Sequence, residues 1–281
     1  MKYFIHEIDV GMGKRTLRAY LPDVLQDSYY KALRPAVIIL PGGAYGITYE
    51  GEAEPIALKF VSEGVCAFLL DYSVTSRSEK VWPYAQMEAF AAIRYVRRHA
   101  SEFGIRPDNI ATLGFSAGGH LCACTGTLWN KPGFAPYMKE DNYSARPDKL
   151  ILCYPVIRAF EPCEKGSFHN LFGVPYREID RDLLNLVSVE RQVDDETPPS
   201  FIWTLSDDTS VPIQGVLEFA HALADHDTFL ELHIYPHGGH GLCAANHVTG
   251  QRPYEEACTA SDWMKHAVRF LFDEKVTQKL R

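Results

Sequence analysis

Short unbroken apolar runs recur along this chain, and most are followed by a segment with helical spacing. Residues 36–40, 65–70, 110–115, 149–154, 200–205 and 229–235 read as buried strands. Residues 53–63, 84–103, 116–128, 213–224 and 254–272 read as helices. Within the second of these, Met87, Phe90, Ala91, Ile93, Tyr95 and Val96 repeat at helical spacing, and Gly104 stops the pattern. Residues 2–9 and 15–21 alternate instead, with Gly11-Met12-Gly13 between them, which is a hairpin signal.

Strands without alternation are covered on both faces, which is the habit of parallel sheets. The expected class is therefore α/β: a mostly parallel central sheet with helices on both faces and an N-terminal antiparallel hairpin. Residues 158–199 break the rhythm with Gly, Pro and charge. They are too long for an ordinary loop and are expected to run over one edge of the sheet, partly covering its end. With no repeat or linker in view, residues 1–281 read as one domain.

Composition narrows the class of function. The 281 residues are 46% hydrophobic and 23% charged, in the range of ordinary globular domains. A net charge of −8 disfavours nucleic acid, whose phosphates call for a basic surface. No run approaches the roughly 20 apolar residues of a membrane helix. The N-terminus lacks the apolar core of about 7–15 residues that marks a signal peptide, so a cytoplasmic location is expected. The seven cysteines are odd in number and form no disulfide framework. Cys122 and Cys124 lie two apart on a predicted helix, on different faces, and read as buried thiols rather than metal ligands.

The candidate chemistry lies just beyond the strands. Gly114-Phe115-Ser116-Ala117-Gly118 joins a buried strand to a helix rich in small residues. A G-x-S-x-G there can form a nucleophile elbow, a sharp turn that lifts the serine Oγ clear of the sheet. Alone, the pattern reads equally well as a glycine-rich loop with a capping serine. Pro41-Gly42-Gly43-Ala44-Tyr45 follows an earlier strand and can turn backbone N–H groups toward the elbow, as a developing oxyanion requires. After 200–205 come Asp207 and Asp208; after 229–235 come His237 and His240. Each has a bland reading as a loop residue. Metal ligation by His237 and His240 is the weaker chemical reading, because no third ligand group lies near them in sequence. Serine, aspartate and histidine stand in the chain order of an α/β-hydrolase triad, each after a strand, and that conjunction outweighs the separate bland readings.

These stretches resemble the α/β-hydrolase superfamily. Within it the chain resembles the small esterases grouped with acetyl-xylan and related carbohydrate esterases, near the hormone-sensitive-lipase-like carboxylesterases. The resemblance rests on LPGGAY, on the run from Arg106 through GFSAGGHL, on TPPSFIWTLSDDTSVP and on ELHIYPHGGHG, across about residues 36–242. It implies Ser116 as nucleophile, His240 as base, and the amides of Gly43, Ala44 and Ala117 as the oxyanion hole. For the acid, relatives usually carry Asp-x-x-Val-Pro, which selects Asp208 over Asp207. Neither metal nor cofactor is implied.

Pro41 stands where lipase-like relatives have His, which tilts the expectation toward carbohydrate esterases and short acyl groups. With 40 residues before the motif, the helical N-terminal cap of the lipase-like enzymes is not expected. The aromatics Tyr45, Tyr49, Trp82, Tyr84 and Trp129 lie on segments expected at the rim of the site; each reads as a core residue or as a ring face suited to sugars and aryl leaving groups. The implied partner is a small-molecule ester. The rivals are a peptidase or aryl-amide hydrolase of the same fold, and an inactive member used for binding.

Overall fold

The computed structural model describes residues 1–23, 33–138, 141–249 and 258–277. Its strands are β1 (Lys2–Asp9), β2 (Lys14–Leu21), β3 (Arg34–Leu40), β4 (Cys66–Leu70), β5 (Ile105–Phe115), β6 (Lys149–Cys153), β7 (Ser200–Leu205) and β8 (Leu230–Tyr235). They form one sheet in the order β1-β2-β4-β3-β5-β6-β7-β8. β1 and β2 pair antiparallel from Lys2↔Leu21 to Asp9↔Lys14, and β2 runs antiparallel to β4. Every pairing from β4 across to β8 is parallel. Gly11 and Gly13 take the β1–β2 turn with φ of +99° and +84°, a region that costs glycine little.

The helices are α1 (Glu54–Ser62), α2 (Tyr84–Arg98), α3 (Ala100–Phe103), α4 (Ser116–Thr127), α5 (Lys165–Phe172), α6 (Arg181–Val187), α7 (Gln214–Asp225) and α8 (Trp263–Phe272). Alternate residues of β3 show why its run is continuously apolar. Ala36, Ile38 and Leu40 enter the core shared with α2, α4 and α7, while Val37 and Ile39 enter the core under α1 and α8. Both faces of the sheet are thus covered, as parallel strands require. Lys149, fully buried at the start of β6, donates from Nζ to the carbonyls of Phe270 (2.8 Å) and Leu271 (2.9 Å). It closes the last turn of α8, whose final carbonyls lack intrahelical partners.

Three boundaries differ from the sequence expectation. The segment 84–103 is two helices, because His99 leaves helical dihedrals and α3 restarts at Ala100. β5 begins at Ile105 rather than residue 110. A register shift between Arg34 and Ala36 lets Arg34 pair with Ile105, so the polar stretch Arg106-Pro107-Asp108 is carried inside the strand. The last helix starts at Trp263; the expected start at Tyr254 lies outside the described residues. Segment 158–199 contains α5 and α6, and Asn170 on α5 donates from Nδ2 to the carbonyl of Ala44 (2.8 Å). It therefore touches the loop after β3 directly. Among the described residues, no helix is long and apolar enough to cross a membrane, and Cys66, Cys122, Cys124, Cys153, Cys163 and Cys243 are free thiols.

Candidate active site

Parallel strands end together, so the loops after β3, β5, β7 and β8 converge at one edge of the sheet. Ser116 is the first residue of α4 and has φ +52°. A left-handed conformation costs a residue with a Cβ on the order of 1–3 kcal/mol and persists where its surroundings enforce it. Here the surroundings are glycines in close contact. A Cβ on Gly114 would lie 2.0 Å from the Gly118 carbonyl oxygen, and one on Gly118 would lie 2.1 Å from that of Leu40. The G-x-S-x-G spacing is thus a packing requirement of the turn.

Ser116 Oγ lies 2.8 Å from His240 Nε2, and His240 Nδ1 lies 2.6 Å from Asp208 Oδ2. The Asp208 side chain is wholly buried. Its other oxygen accepts the N–H groups of Ser210 (2.8 Å) and Val211 (2.9 Å), so the carboxylate is held from both sides. His240 stands on a loop where Gly238, Gly239 and Gly241 all have positive φ. Asp207 points elsewhere. Its carboxylate accepts the N–H groups of Gly239 (2.9 Å) and Gly238 (3.1 Å) and is largely solvated. The two adjacent aspartates therefore do different things: Asp208 reaches the ring and Asp207 ties the loop that carries it. His237 is exposed, sits 3.8 Å from Asp207 and is not among the residues lining the cleft that holds Ser116 and His240.

Gly43, Ala44, Ser116 and His240 line one open cleft of about 450 Å³, together with Ile47, Tyr49, Glu52, Glu164, Ser210, Val211 and Gly241. Among the described residues, the N–H groups of Gly43, Ala44 and Ala117 have no hydrogen-bond partner. Ala117 lies in the first turn of α4, where N–H groups have no intrahelical acceptor. Gly43 has φ +126°, and its missing Cβ would fall 2.3 Å from the Ile47 carbonyl oxygen. The tight turn that follows, with Gly46 N–H donating to the Gly43 carbonyl (2.9 Å), exists because residue 43 is glycine.

Of the aromatics expected at the rim, Tyr49 lines the cleft. Tyr45 does not. It is fully buried and donates to His120 Nδ1 (2.8 Å), whose Nε2 meets the Val187 carbonyl (2.8 Å). The left-handed backbone at Ala44 and Tyr45 turns that ring inward. Trp82 lines a separate cleft with Phe172 and Ile179, and Tyr84 and Trp129 pack against the core.

Two residues at the site were not singled out from the sequence. Glu52 is buried beneath the cleft, with Oε2 accepting the Gly42 N–H (2.7 Å) and Oε1 accepting the Tyr154 hydroxyl (2.7 Å). Burial pushes its carboxyl above the ordinary value, against the pull of those two donors. Tyr154 stands just past β6, and its ring meets the His240 ring edge-on at 5.0 Å. A polar side chain at the C-terminal end of a buried parallel strand was the one available hint to Tyr154. Glu52 lies in a short turn with no periodicity to interpret.

One group among the described residues brings histidine and carboxylate atoms close enough to share an ion: Glu231, His233 and His266, on β8 and α8. Its members are engaged with protein partners. Glu231 Oε1 is bound by His233 Nε2 (2.9 Å) and by Arg269 (2.7 Å), and His266 pairs with Asp262. None of the three lines the cleft.

Comparison with known proteins agrees with the fold and narrows the family. Endo-1,4-beta-xylanase B of Butyrivibrio fibrisolvens is 32% identical over 76% of this chain, and the acetylxylan esterase of Xylanibacter ruminicola is 30% identical over 74% of it. The chain spans 33% and 41% of the lengths of those two relatives. The crystal structure of an acetyl ester-xyloside bifunctional hydrolase from Caldicellulosiruptor lactoaceticus is 36% identical and superposes with a TM-score of 0.75, covering 91% of this chain and 89% of the other. The BD-FAE family model matches residues 20–223, from the end of β2 to α7. The chain belongs to the BD-FAE family and carries the α/β-hydrolase fold of the esterases it resembles.

Proposed function

We propose that this chain is a serine esterase that removes short acyl groups, acetyl first, from a sugar or similar polar alcohol. The observation that carries the reading is the continuous hydrogen-bonded run Asp208–His240–Ser116, ending in a cleft that Gly43 and Ala44 also line. In the proposed reaction, Ser116 Oγ attacks the ester carbonyl while His240 Nε2 takes its proton. Asp208 holds the Nδ1–H and offsets the positive charge of the imidazolium. The amides of Gly43, Ala44 and Ala117 receive the oxyanion. Collapse of the tetrahedral intermediate expels the alcohol, which takes the proton from His240. Water then attacks the acyl-enzyme, giving a proton to His240; collapse of this second tetrahedral intermediate releases the carboxylic acid, and Ser116 Oγ takes the proton back from His240.

The substrate class rests on two supports. The cleft wall mixes Glu164, Ser210 and Tyr49 with Ile47 and Val211, which suits a polar alcohol beside a small acyl group. Two of the relatives carry acetyl esters in their names. Segment 158–199, which supplies Glu164 and Asn170, is proposed as a partial cover over one domain comprising the whole chain.

The test is kcat/KM for acetyl, butyryl, octanoyl and palmitoyl esters of one alcohol. Acetyl or butyryl is expected to lead, with the value falling stepwise, since one methylene changes pocket binding by only about 1–3 kcal/mol. A preference for octanoyl or longer chains rejects the short-acyl reading. Turnover of peptide amides in place of esters moves the chain to the peptidase rival.

A further inference from the structure

We propose that Glu52 is a positioning residue that fixes the oxyanion loop and the histidine loop relative to each other; the inference rests on the esterase reading above. Three donors converge on this one buried carboxylate, two directly and one through a hydroxyl. The Gly42 N–H donates to Oε2 and the Tyr154 hydroxyl donates to Oε1. That hydroxyl in turn accepts the N–H of Cys243 (2.9 Å), three residues past His240. The direction of every bond is thereby set. Tyr154 accepts from Cys243, so its own proton goes to Glu52, and Gly42 can only donate. A group with two acceptor oxygens and nothing to donate satisfies this pocket.

The placement gives that network a consequence for the amides. Gly42 directly precedes Gly43 and Ala44, which line the cleft. It is wedged so closely that a Cβ would meet the Phe115 carbonyl oxygen at 2.7 Å, Glu52 Oε2 at 2.8 Å and Ser116 Cβ at 2.9 Å. The Glu52 carboxylate thus lies against the loop at the point where Gly42 abuts the elbow, and its bond to Gly42 holds the peptide plane leading into the hole. On the other side Tyr154 carries the constraint to the His240 ring, which packs against its edge. Oxyanion donors act only when held at the place where charge develops, so a small displacement weakens the transition state more than the ground state.

Glu52→Gln tests this with little change of shape. An amide offers one acceptor, so its NH₂ must face either the Gly42 N–H or the Tyr154 hydroxyl. Removing a whole oxyanion donor costs about 10²–10³-fold in kcat, and displacing donors should cost part of that, about 10–100-fold. The loss is expected in kcat, with KM within about twofold of wild type. Inactivation by a p-nitrophenyl phosphonate, whose phosphoryl oxygen needs the same amides, should slow by a similar factor.

Tyr154→Phe removes the shared hydroxyl and provides a second route should Glu52→Gln fail to fold. It should lower kcat in the same manner, and the double variant should lose less than the product of the two single losses. A folded Glu52→Gln with kcat and phosphonate rate within twofold of wild type overturns the positioning role, as does a loss confined to KM. Should Glu52→Gln not fold, an unchanged kcat in Tyr154→Phe overturns it. Wild-type protein that neither turns over esters nor takes the label overturns the esterase reading and this role with it, whereas an active wild type with a dead Ser116→Ala leaves Glu52 alone in question.

Discussion

Ser116→Ala is expected to fold normally and to lose about 10⁴–10⁶-fold in kcat on short-chain esters, the scale of other triad knockouts. The fold should survive because the substitution removes only Oγ, whose one side-chain partner among the described residues is His240. The left-handed backbone at φ +52° is kept in place by the glycine contacts of Gly114 and Gly118, and alanine retains the Cβ that serine already fits there. What vanishes is the nucleophile, and the neighbouring amides cannot replace it. The checks are circular dichroism for the fold, steady-state kinetics for the loss, and mass spectrometry after incubation with an organophosphonate. Wild type should gain the label on Ser116 and the variant should gain none. Activity within tenfold of wild type removes Ser116 from the reaction.

The second large effect is expected at Asp208 and not at its neighbour. Asp208 uses one oxygen for the His240 Nδ1–H and the other for the N–H groups of Ser210 and Val211. In Asp208→Asn the two backbone donors claim the amide oxygen, so the NH₂ must face His240. The ring is then pushed to the tautomer with its proton on Nε2, where it cannot accept from Ser116. A loss of about 10⁴-fold in kcat follows by comparison with the same exchange in a serine protease. Asp207→Asn weakens only its hold on Gly238 and Gly239 at a solvated position and should cost less than tenfold. The reverse ranking in kcat/KM would transfer the orienting role to Asp207.

The parts of this fold that were legible in the chain are those where burial dictates composition. A strand covered on both faces has no polar position to spare, so β3, β4, β6 and β7 stand out as apolar runs. The loops bearing Ser116, Asp208 and His240 were locatable because they follow such runs. The early start of β5 was hidden, since Ile105 pairs with Arg34 across a register shift and Arg106, Pro107 and Asp108 follow it before the pairing resumes at Ile110. Tyr45 misled for a different reason: its sequence position beside Gly43 suggested the rim, and a backbone sign change sent its ring to the core. Glu52 was silent because its role comes from two donors distant in sequence, Tyr154 among them, 102 positions away.

The buried strut Tyr45–His120–Val187 sets an acid limit on the protein. His120 Nε2 must carry its proton toward the Val187 carbonyl, and Nδ1 must stay bare to accept from Tyr45. Burial lowers its pKa from 6.5 to about 4. The unfolded chain therefore binds a proton in that interval and the folded chain does not. The strut's contribution is complete above pH 6.5 and is lost at about 1.4 kcal/mol per pH unit as acidity rises toward 4. Since Tyr45 continues the loop of Gly43 and Ala44, and Val187 ends α6, the tie that acid weakens is the one between the loop after β3 and segment 158–199, made by a histidine outside the cleft.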